Sequence, residues 1–324
     1  MQAVRVLEFG GPEKLTVQSV ALPRPAADEV LIRVAAAGVN PYDTYLRSGT
    51  FNPSAPLPYT VGSDGCGVIE SVGADVTDLR RGQRVFFFAS GSGSYAQFCT
   101  AAACRTFRLP DGVSDEKGAA LGIPYITAFR SLFQRANARA GQTVLVHGAS
   151  GAVGLAAVQL ARTAGCYVIG TAGSERGLEL VKAQGAHLVL SHSSSSHVDA
   201  IMAATQGQGV DVVLEMLANV NLDADLTLTR RHGTIVVIGS RGRVQVEPGT
   251  IMQKELTLTG VMLLEAHKED IVDCGKSISA LLERGQIDPV VAKAYEMHEA
   301  SQAHEDVIKP PTGFALGKLV LKIA

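Results

Sequence analysis

The chain has 324 residues, 46% hydrophobic and 19% charged, with 29 Lys and Arg against 31 Asp and Glu. That near-neutral balance excludes the basic footprint of a nucleic-acid or anionic-membrane binder, and the length suits two domains. No apolar run approaches a bilayer span, the start lacks the apolar core of a signal peptide, and the five Cys (66, 99, 104, 166, 274) include no CxxC pair, so we expect a reducing, cytoplasmic setting without disulfides or a zinc knuckle.

The first third reads as β. "VRVLEF", "LTVQSV", "EVLIRVAAAGV", "GVIESVG", "GQRVFFF" and "YAQFCTAA" are short apolar or alternating runs separated by Gly, Pro and Asp, the pattern of a small barrel or sandwich. Near Ala119 the grammar changes. Near-continuous apolar strands at 143–148, 166–172, 187–191, 210–217 and 233–240 alternate with helix-period segments at 152–164, 174–184, 198–205 and 221–231. A sixth strand is expected over 255–263. Strand–helix alternation at this spacing predicts right-handed crossovers and a parallel sheet covered on both faces. The serine-rich 191–197 reads as a loop. A helix from 268, a strand at 290–297, a helix over 299–308 and a last strand at 317–323 can complete the first, β-rich unit, so the α/β domain is read as an insertion, with a cleft between the two.

"VLVHGASGAVG" (144–154) joins the first parallel strand to its helix. Gly148, Gly151 and Gly154 recur at three-residue spacing, which lets backbone approach a diphosphate while the free N–H groups of the helix start hold its charge. The second strand ends in Gly170, Thr171, Ala172 and Gly173, with none of the carboxylate that grips a ribose 2′-hydroxyl. Ser174 and Arg176 follow and suit a 2′-phosphate, favouring NADPH over NADH. Arg176 is read either as that ligand or as an exposed helix residue, and Glu175 beside it counts against the first.

"RVLEFGGPE" (5–13), "AGVNPYDTYLRSGT" (37–50), "LPYTVGSDGCGVIESVG" (57–73), "LGIPYITAFRSL" (121–132), the glycine turn, "LEMLANVNL" (214–222) and "VIGSRG" (237–242) resemble the medium-chain dehydrogenase/reductase superfamily over the whole length. More narrowly, the chain is similar to its quinone oxidoreductase (zeta-crystallin) family. The resemblance implies an α/β chain with a GroES-like β-rich catalytic domain (1–122 and 265–324) and an inserted, doubly wound Rossmann NADPH-binding domain (123–264). Where the superfamily's alcohol dehydrogenases carry zinc ligands, this chain has Asn40 in "GVN", Ser63 in "GSD" and "GIPYIT" without Cys or His; nor does it carry the four closely spaced Cys of their structural-zinc loop. Such residues cannot build a tetrahedral zinc site, so no metal is expected.

A quinone, already electron-poor, needs no Lewis acid, only stacking beside reduced nicotinamide. The amide of Asn40 and the phenol of Tyr45 are then expected to face a substrate carbonyl. Tyr45 would otherwise be a packed helix tyrosine. The resemblance assigns cofactor contacts to Tyr45, to Ser150, Gly151, Ala152 and Val153 at the diphosphate, and to Gly173 and His192 at the adenosine end. It adds Asn221 after the fourth strand, Ile238, Gly239, Ser240 and Arg241 after the fifth, and Val261, Met262 and Leu263 at the end of the sixth. It implies NADPH:quinone reduction, with ortho-quinones and semiquinone release as the finer expectation. An alkenal or enone reductase, a structural lens protein and an RNA-binding role stand beside it. An apolar sixth strand at a sheet edge predicts a homo-oligomer.

Overall fold

The computed structural model describes residues 1–310 and 315–323. From the N-terminus the strands are β1 (Gln2–Val6), β2 (Leu15–Ser19), β3 (Glu29–Val39), β4 (Tyr59–Thr60), β5 (Asp64–Val72), β6 (Arg84–Phe88), β7 (Phe98–Ala102) and β8 (Thr106–Arg108). Helix α1 (Pro41–Arg47) follows β3 and α2 (Asp115–Ala119) follows β8; α3 (Gly122–Phe129) then runs on as a wider turn over Arg130–Arg135. The α/β stretch holds β9 (Thr143–Val146), α4 (Ala152–Thr163), β10 (Tyr167–Ala172), α5 (Glu175–Ala183), β11 (Leu188–Ser191), α6 (His197–Ala204), β12 (Val210–Glu215), α7 (Ala218–Leu228), β13 (Thr229–Val237), α8 (Pro248–Lys254) and β14 (Thr257–Gly260). The chain closes with α9 (Lys268–Glu283), β15 (Val291–Glu296), α10 (Ala300–Ile308) and β16 (Lys318–Lys322).

Two compact units result. Among the described residues, one comprises 1–123, 267–310 and 317–323, the other 124–266 and 315–316. In the first, β3 is the spine: it pairs antiparallel with β5, β7 and β16, in a seven-stranded sheet ordered β15-β16-β3-β5-β6-β8 with β7 off that path. Two register shifts between β3 and β5 bend the sheet round a core of Val30, Ile32, Val34, Phe87, Tyr95 and Leu321. A smaller sheet, β2-β1-β4, adds Val4 and Val6 to that core.

In the second unit all strands are parallel, in the order β11-β10-β9-β12-β13-β14. Read in sequence along the unit this is 3-2-1-4-5-6, the doubly wound Rossmann order, whose switch point lies between β9 and β12. Val144, Leu145, Val146, Val212, Val213 and Leu214 are buried there, which is why both strands read as unbroken apolar runs. No helix among the described residues is long and apolar enough to cross a membrane.

Several element boundaries differ from the sequence expectation. The fourth helix of the α/β unit starts at Ala218 and ends at Leu228, three residues early at both ends. The backbone N–H of Leu217 is held by the Glu215 carboxylate at its start, and the Thr229 hydroxyl bonds the carbonyl of Asp225 at its end. Residues 229–232 join β13 instead, absorbed by a register shift against Val210 and Val212. The sixth strand spans only Thr257–Gly260, because Glu255 takes a left-handed conformation (φ 51°) that caps α8, and Leu263 enters a single 3-10 turn.

Candidate functional site

At the switch point of the Rossmann unit, β9 passes into α4 through His147–Gly151. Gly148 sits at φ 56°, turning the chain sharply. Gly151 is the N-cap of α4 and offers no side chain to its first-turn amides, so a 12-residue helix begins with N–H groups uncapped by any side chain. A Cβ added at Gly151 would meet nothing nearer than the Gly148 carbonyl at 3.4 Å, whereas one at Gly154 would lie 2.6 Å from Ala149 Cα and from the Gly148 carbonyl oxygen. Gly154 thus serves strand–helix packing, whereas Gly151 is partly exposed and would leave an added Cβ at ordinary contact distance, with Ala315 Cβ 3.8 Å away. Ser150 is buried, and Ala152 and Val153 are partly exposed on the first turn.

The other expected contacts gather along the same strand ends. Gly173 follows β10; Ser174 caps α5 by accepting from the Gly177 amide at 3.2 Å, and Arg176 stands exposed on that helix's first turn. His192, after β11, ties back through its amide to the Ala172 carbonyl. Asn221 does not point away from the protein: its Nδ2 donates to Glu215 Oε1 at 3.2 Å. The Arg241 amide donates to Asn219 Oδ1 at 2.8 Å, and Ser240 Oγ to the Gly242 carbonyl. Ile238, Gly239, Ser240, Val261 and Met262 share the wall of one cavity of about 430 Å³ with Arg130, Arg135 and Glu265. Leu263 is buried in its turn. Sequence reasoning missed Arg130, although it lies in the quoted "GIPYITAFRSL"; its Nη1 donates to the Met262 carbonyl at 3.0 Å.

In the β-rich unit Asn40 departs from expectation. It is only 3% exposed and N-caps α1 in a capping box with Asp43. Its Nδ2 donates to Asp43 Oδ2 (3.0 Å) and Asp64 Oδ1 (2.7 Å), and its Oδ1 accepts from the buried ammonium of Lys318. An amide with both protons committed has no donor left for a substrate carbonyl, so the expected direct contact is corrected to a structural one. Lys318 Nζ lies 3.5 Å from Asp64 Oδ2, the Ile123 amide donates to that oxygen at 2.8 Å, and Ser63 Oγ donates to Asp43. Gly38 makes room: a Cβ there would fall 2.5 Å from Asp64 Oδ1 and 2.8 Å from Lys318 Cε. Burial and then the Asp64 charge raise the Asp43 carboxyl to about 6, and burial lowers the Lys318 ammonium against the pull of Asp64 and Asp43. Tyr45, on α1, is half-buried, and its hydroxyl makes no hydrogen bond among the described residues.

Asn40 and Ser63 stand in the two segments where the resemblance to alcohol dehydrogenases places zinc ligands. Their side chains are tied to two carboxylates and an ammonium, with no thiolate or imidazole in the set. A cation at the centre of that network repels a second one, so these residues do not fit a tetrahedral zinc ion.

Residues 26–111 match the alcohol dehydrogenase GroES-like domain family and residues 152–276 the zinc-binding dehydrogenase family. A quinone oxidoreductase of Rattus norvegicus is 48% identical over 322 residues, 99% of this chain and 97% of the rat protein. Among solved structures, a mycobacterial protein complexed with NADPH superposes with a TM-score of 0.90 at 32% identity, covering 99% of this chain and all of the other. The Escherichia coli quinone oxidoreductase complexed with NADPH superposes at 0.89 with 28% identity, over 99% and 100%.

Proposed function

The chain belongs to the quinone oxidoreductase family of the medium-chain dehydrogenase/reductases, and from that footing we propose that it reduces quinones with NADPH and without zinc. The observation that carries the reading is the side-chain-free start of α4 at the sheet's switch point, with Gly151 itself partly exposed. Ser150, Gly151, Ala152 and Val153 hold the diphosphate there. Gly173, Ser174, Arg176 and His192 take the adenosine side, with Arg176 on the 2′-phosphate. Asn221, Ile238–Arg241 and Val261–Leu263 take the nicotinamide side, where the cavity beside Arg130 offers main-chain groups to a carboxamide.

Bound NADPH supplies the reducing equivalents. The protein's share is to bind, orient and exclude water. Tyr45 offers the phenol that hydrogen-bonds a quinone oxygen as it gains negative charge. Asn40 acts through α1: by capping it and anchoring it to Asp64 and Lys318 it fixes the helix that carries Tyr45. The finer reading is one-electron reduction of ortho-quinones. Two quinones each accept one electron per NADPH oxidised, giving two semiquinone anions, NADP⁺ and one proton; electron spin resonance during turnover distinguishes this from a hydroquinone product. The absence of a zinc requirement predicts that chelator-treated enzyme keeps full turnover.

The protein forms a homo-oligomer through β14, one of the two edge strands of the parallel sheet, where Leu258 on the strand and Met262 just beyond it are 41% and 48% exposed. Gel filtration at micromolar concentration tests it, and a monomer there overturns it. For the activity, NADPH titration followed by turnover with an ortho-quinone and an enone is decisive: we expect turnover of the quinone, and turnover of the enone alone would replace this reading with an alkenal/enone reductase.

A further inference from the structure

Past the ends of the paired strands β9 and β12, three titratable side chains are buried together that the proposed reaction leaves unused. His147 is 3% exposed and Glu215 and Asp225 are 0% exposed. His147 Nε2 lies 2.9 Å from Asp225 Oδ1 and 3.9 Å from Glu215 Oε2, and its Nδ1 lies 3.3 Å from the Thr171 hydroxyl. The Thr171 oxygen itself accepts from the Gly148 amide at 3.3 Å, so its hydroxyl proton is free to go to Nδ1. With that proton on Nδ1's side, His147 is the neutral tautomer that carries its own proton on Nε2 and donates it to Asp225. Two carboxyl oxygens, Glu215 Oε2 and Asp225 Oδ2, are buried without a hydrogen-bond partner. Oxygens of the two carboxyl groups lie within 4.8 Å of each other and His147 Nε2 hydrogen-bonds only Asp225 Oδ1, so two ionised carboxylates here repel at close range in the interior, and a proton retained on the pair relieves that repulsion.

Glu215 is also the junction of the cofactor edge. Its carboxylate Oε1 accepts from the Leu217 amide and from Asn221 Nδ2, and its main-chain carbonyl accepts from the amides of Ile238 (2.8 Å) and Gly239 (3.3 Å). The Ala218 amide donates in turn to the Gly239 carbonyl at 2.9 Å. We propose that His147, Asp225 and Glu215 form a bracket closed by one proton shared between the two carboxyl groups, and that these three are positioning residues that set segments 216–221 and 238–241 for NADPH. The cofactor part of this rests on the function proposed above.

The groups that face the cluster are His147 at the end of β9, Thr171 on β10, Glu215 at the end of β12, Asp225 on α7 and His192 after β11, with His197 of α6 beside His192. Burial raises both carboxyls to about 7 and holds His147 below its ordinary value. For acids raised on folding, the stabilisation is complete below the ordinary carboxyl range and is lost as pH climbs through about 7. Above that, two buried anions repel and the bracket opens. The three groups fall within 4.8 Å of one another, a spacing a metal ion could also use, yet the 2.9 Å contact is already a hydrogen bond.

The test is NADPH affinity at pH 6, 7, 8 and 9, at constant ionic strength, for the wild type, Glu215→Gln and Asp225→Asn. Either amide supplies permanently the donor that the shared proton supplies only when present. NADPH's own titration is common to all three proteins and cancels in the comparison. We expect the wild-type dissociation constant to rise about tenfold more between pH 6 and 9 than that of Glu215→Gln, the size of one pKa unit of coupling. Thermal midpoints without cofactor are expected to fall over the same range in the wild type and to flatten in the variants. Should one variant not fold, the other carries the comparison. Parallel pH profiles in wild type and variants overturn the bracket, as does a stoichiometric metal lost on Asp225→Asn. Failure of every protein to bind NADPH would overturn the proposed function instead, and the cofactor-free midpoints would still decide the bracket.

Discussion

Arg130 reaches from the turn that extends α3 to the carbonyl of Met262, 3.0 Å away, pinning the backbone just past the edge strand β14. Arg130 is only 7% exposed, and its Nε–H also donates to Gln134 Oε1 at 3.0 Å. A charge-assisted hydrogen bond of this kind contributes roughly 1.5–3 kcal/mol. Its loss would free residues 261–263 beside the 430 Å³ cavity. Arg130→Ala is therefore expected to raise the NADPH dissociation constant about tenfold, with Arg130→Lys in between because it keeps the charge and loses the planar fork. Fluorescence titration measures both.

The parallel sheet was legible because its strands are buried on both faces and read as apolar runs, with helix-period text between them. Boundaries were less so. Glu255 gives no local sign that it will turn left-handed and delay β14, and the early start of α7 depends on a carboxylate two residues upstream. The glycine turn announced itself through its spacing together with its place at the junction of a strand and a helix. Asn40 was singled out for the right segment and the wrong contact: its amide is consumed by Asp43, Asp64 and Lys318, and Lys318 lies 278 residues further along the chain. Buried partners that distant leave no periodicity to read. The same holds for His147 and Asp225, each of which looks ordinary within its own element.

Lys318 and the two aspartates give a stability prediction. Removing one partner of a buried ion pair leaves an uncompensated charge, at a cost of about 3–5 kcal/mol. Lys318→Met is thus expected to lower the thermal midpoint by roughly 10 °C, and adding Asp64→Asn is expected to restore more than half of it. The deficit is expected to be larger at pH 8 than at pH 5. Asp43, raised to about 6, is protonated at the lower pH and ionised at the higher, where it needs the ammonium most. Calorimetry of the four-member cycle at both pH values checks the sign as well as the size.

The two glycines of the turn separate fold from binding. At Gly151 an added Cβ makes only an ordinary 3.4 Å contact and the φ of −77° is open to any residue, so Gly151→Asp is expected to fold with a midpoint close to the wild type. Its carboxylate would stand where the diphosphate is proposed to bind, and NADPH binding is expected to vanish. Gly154→Ala reverses the pattern, since its Cβ would lie 2.6 Å from backbone; we expect a loss of about 1–3 kcal/mol of stability from overpacking. Unchanged NADPH affinity in a folded Gly151→Asp would remove the turn from the proposed site.

Arg176 is proposed to set coenzyme choice. Ser174 spends its hydroxyl oxygen capping α5, which leaves the guanidinium two residues on, exposed at the helix start, as the cation nearest in sequence to the end of β10. A 2′-phosphate adds two negative charges that a guanidinium can grip in bidentate fashion, and NADH lacks that group. Because the site is open to solvent, the interaction is screened and belongs at the lower end of the charge-assisted range, about 1.5 kcal/mol. Arg176→Ala is accordingly expected to weaken NADPH about tenfold while changing NADH less than twofold, and to leave the thermal midpoint unmoved, since the side chain is exposed. The NADPH effect is expected to shrink as salt is raised from low to physiological strength. Equal losses for both coenzymes would show that Arg176 acts on the helix rather than on the phosphate.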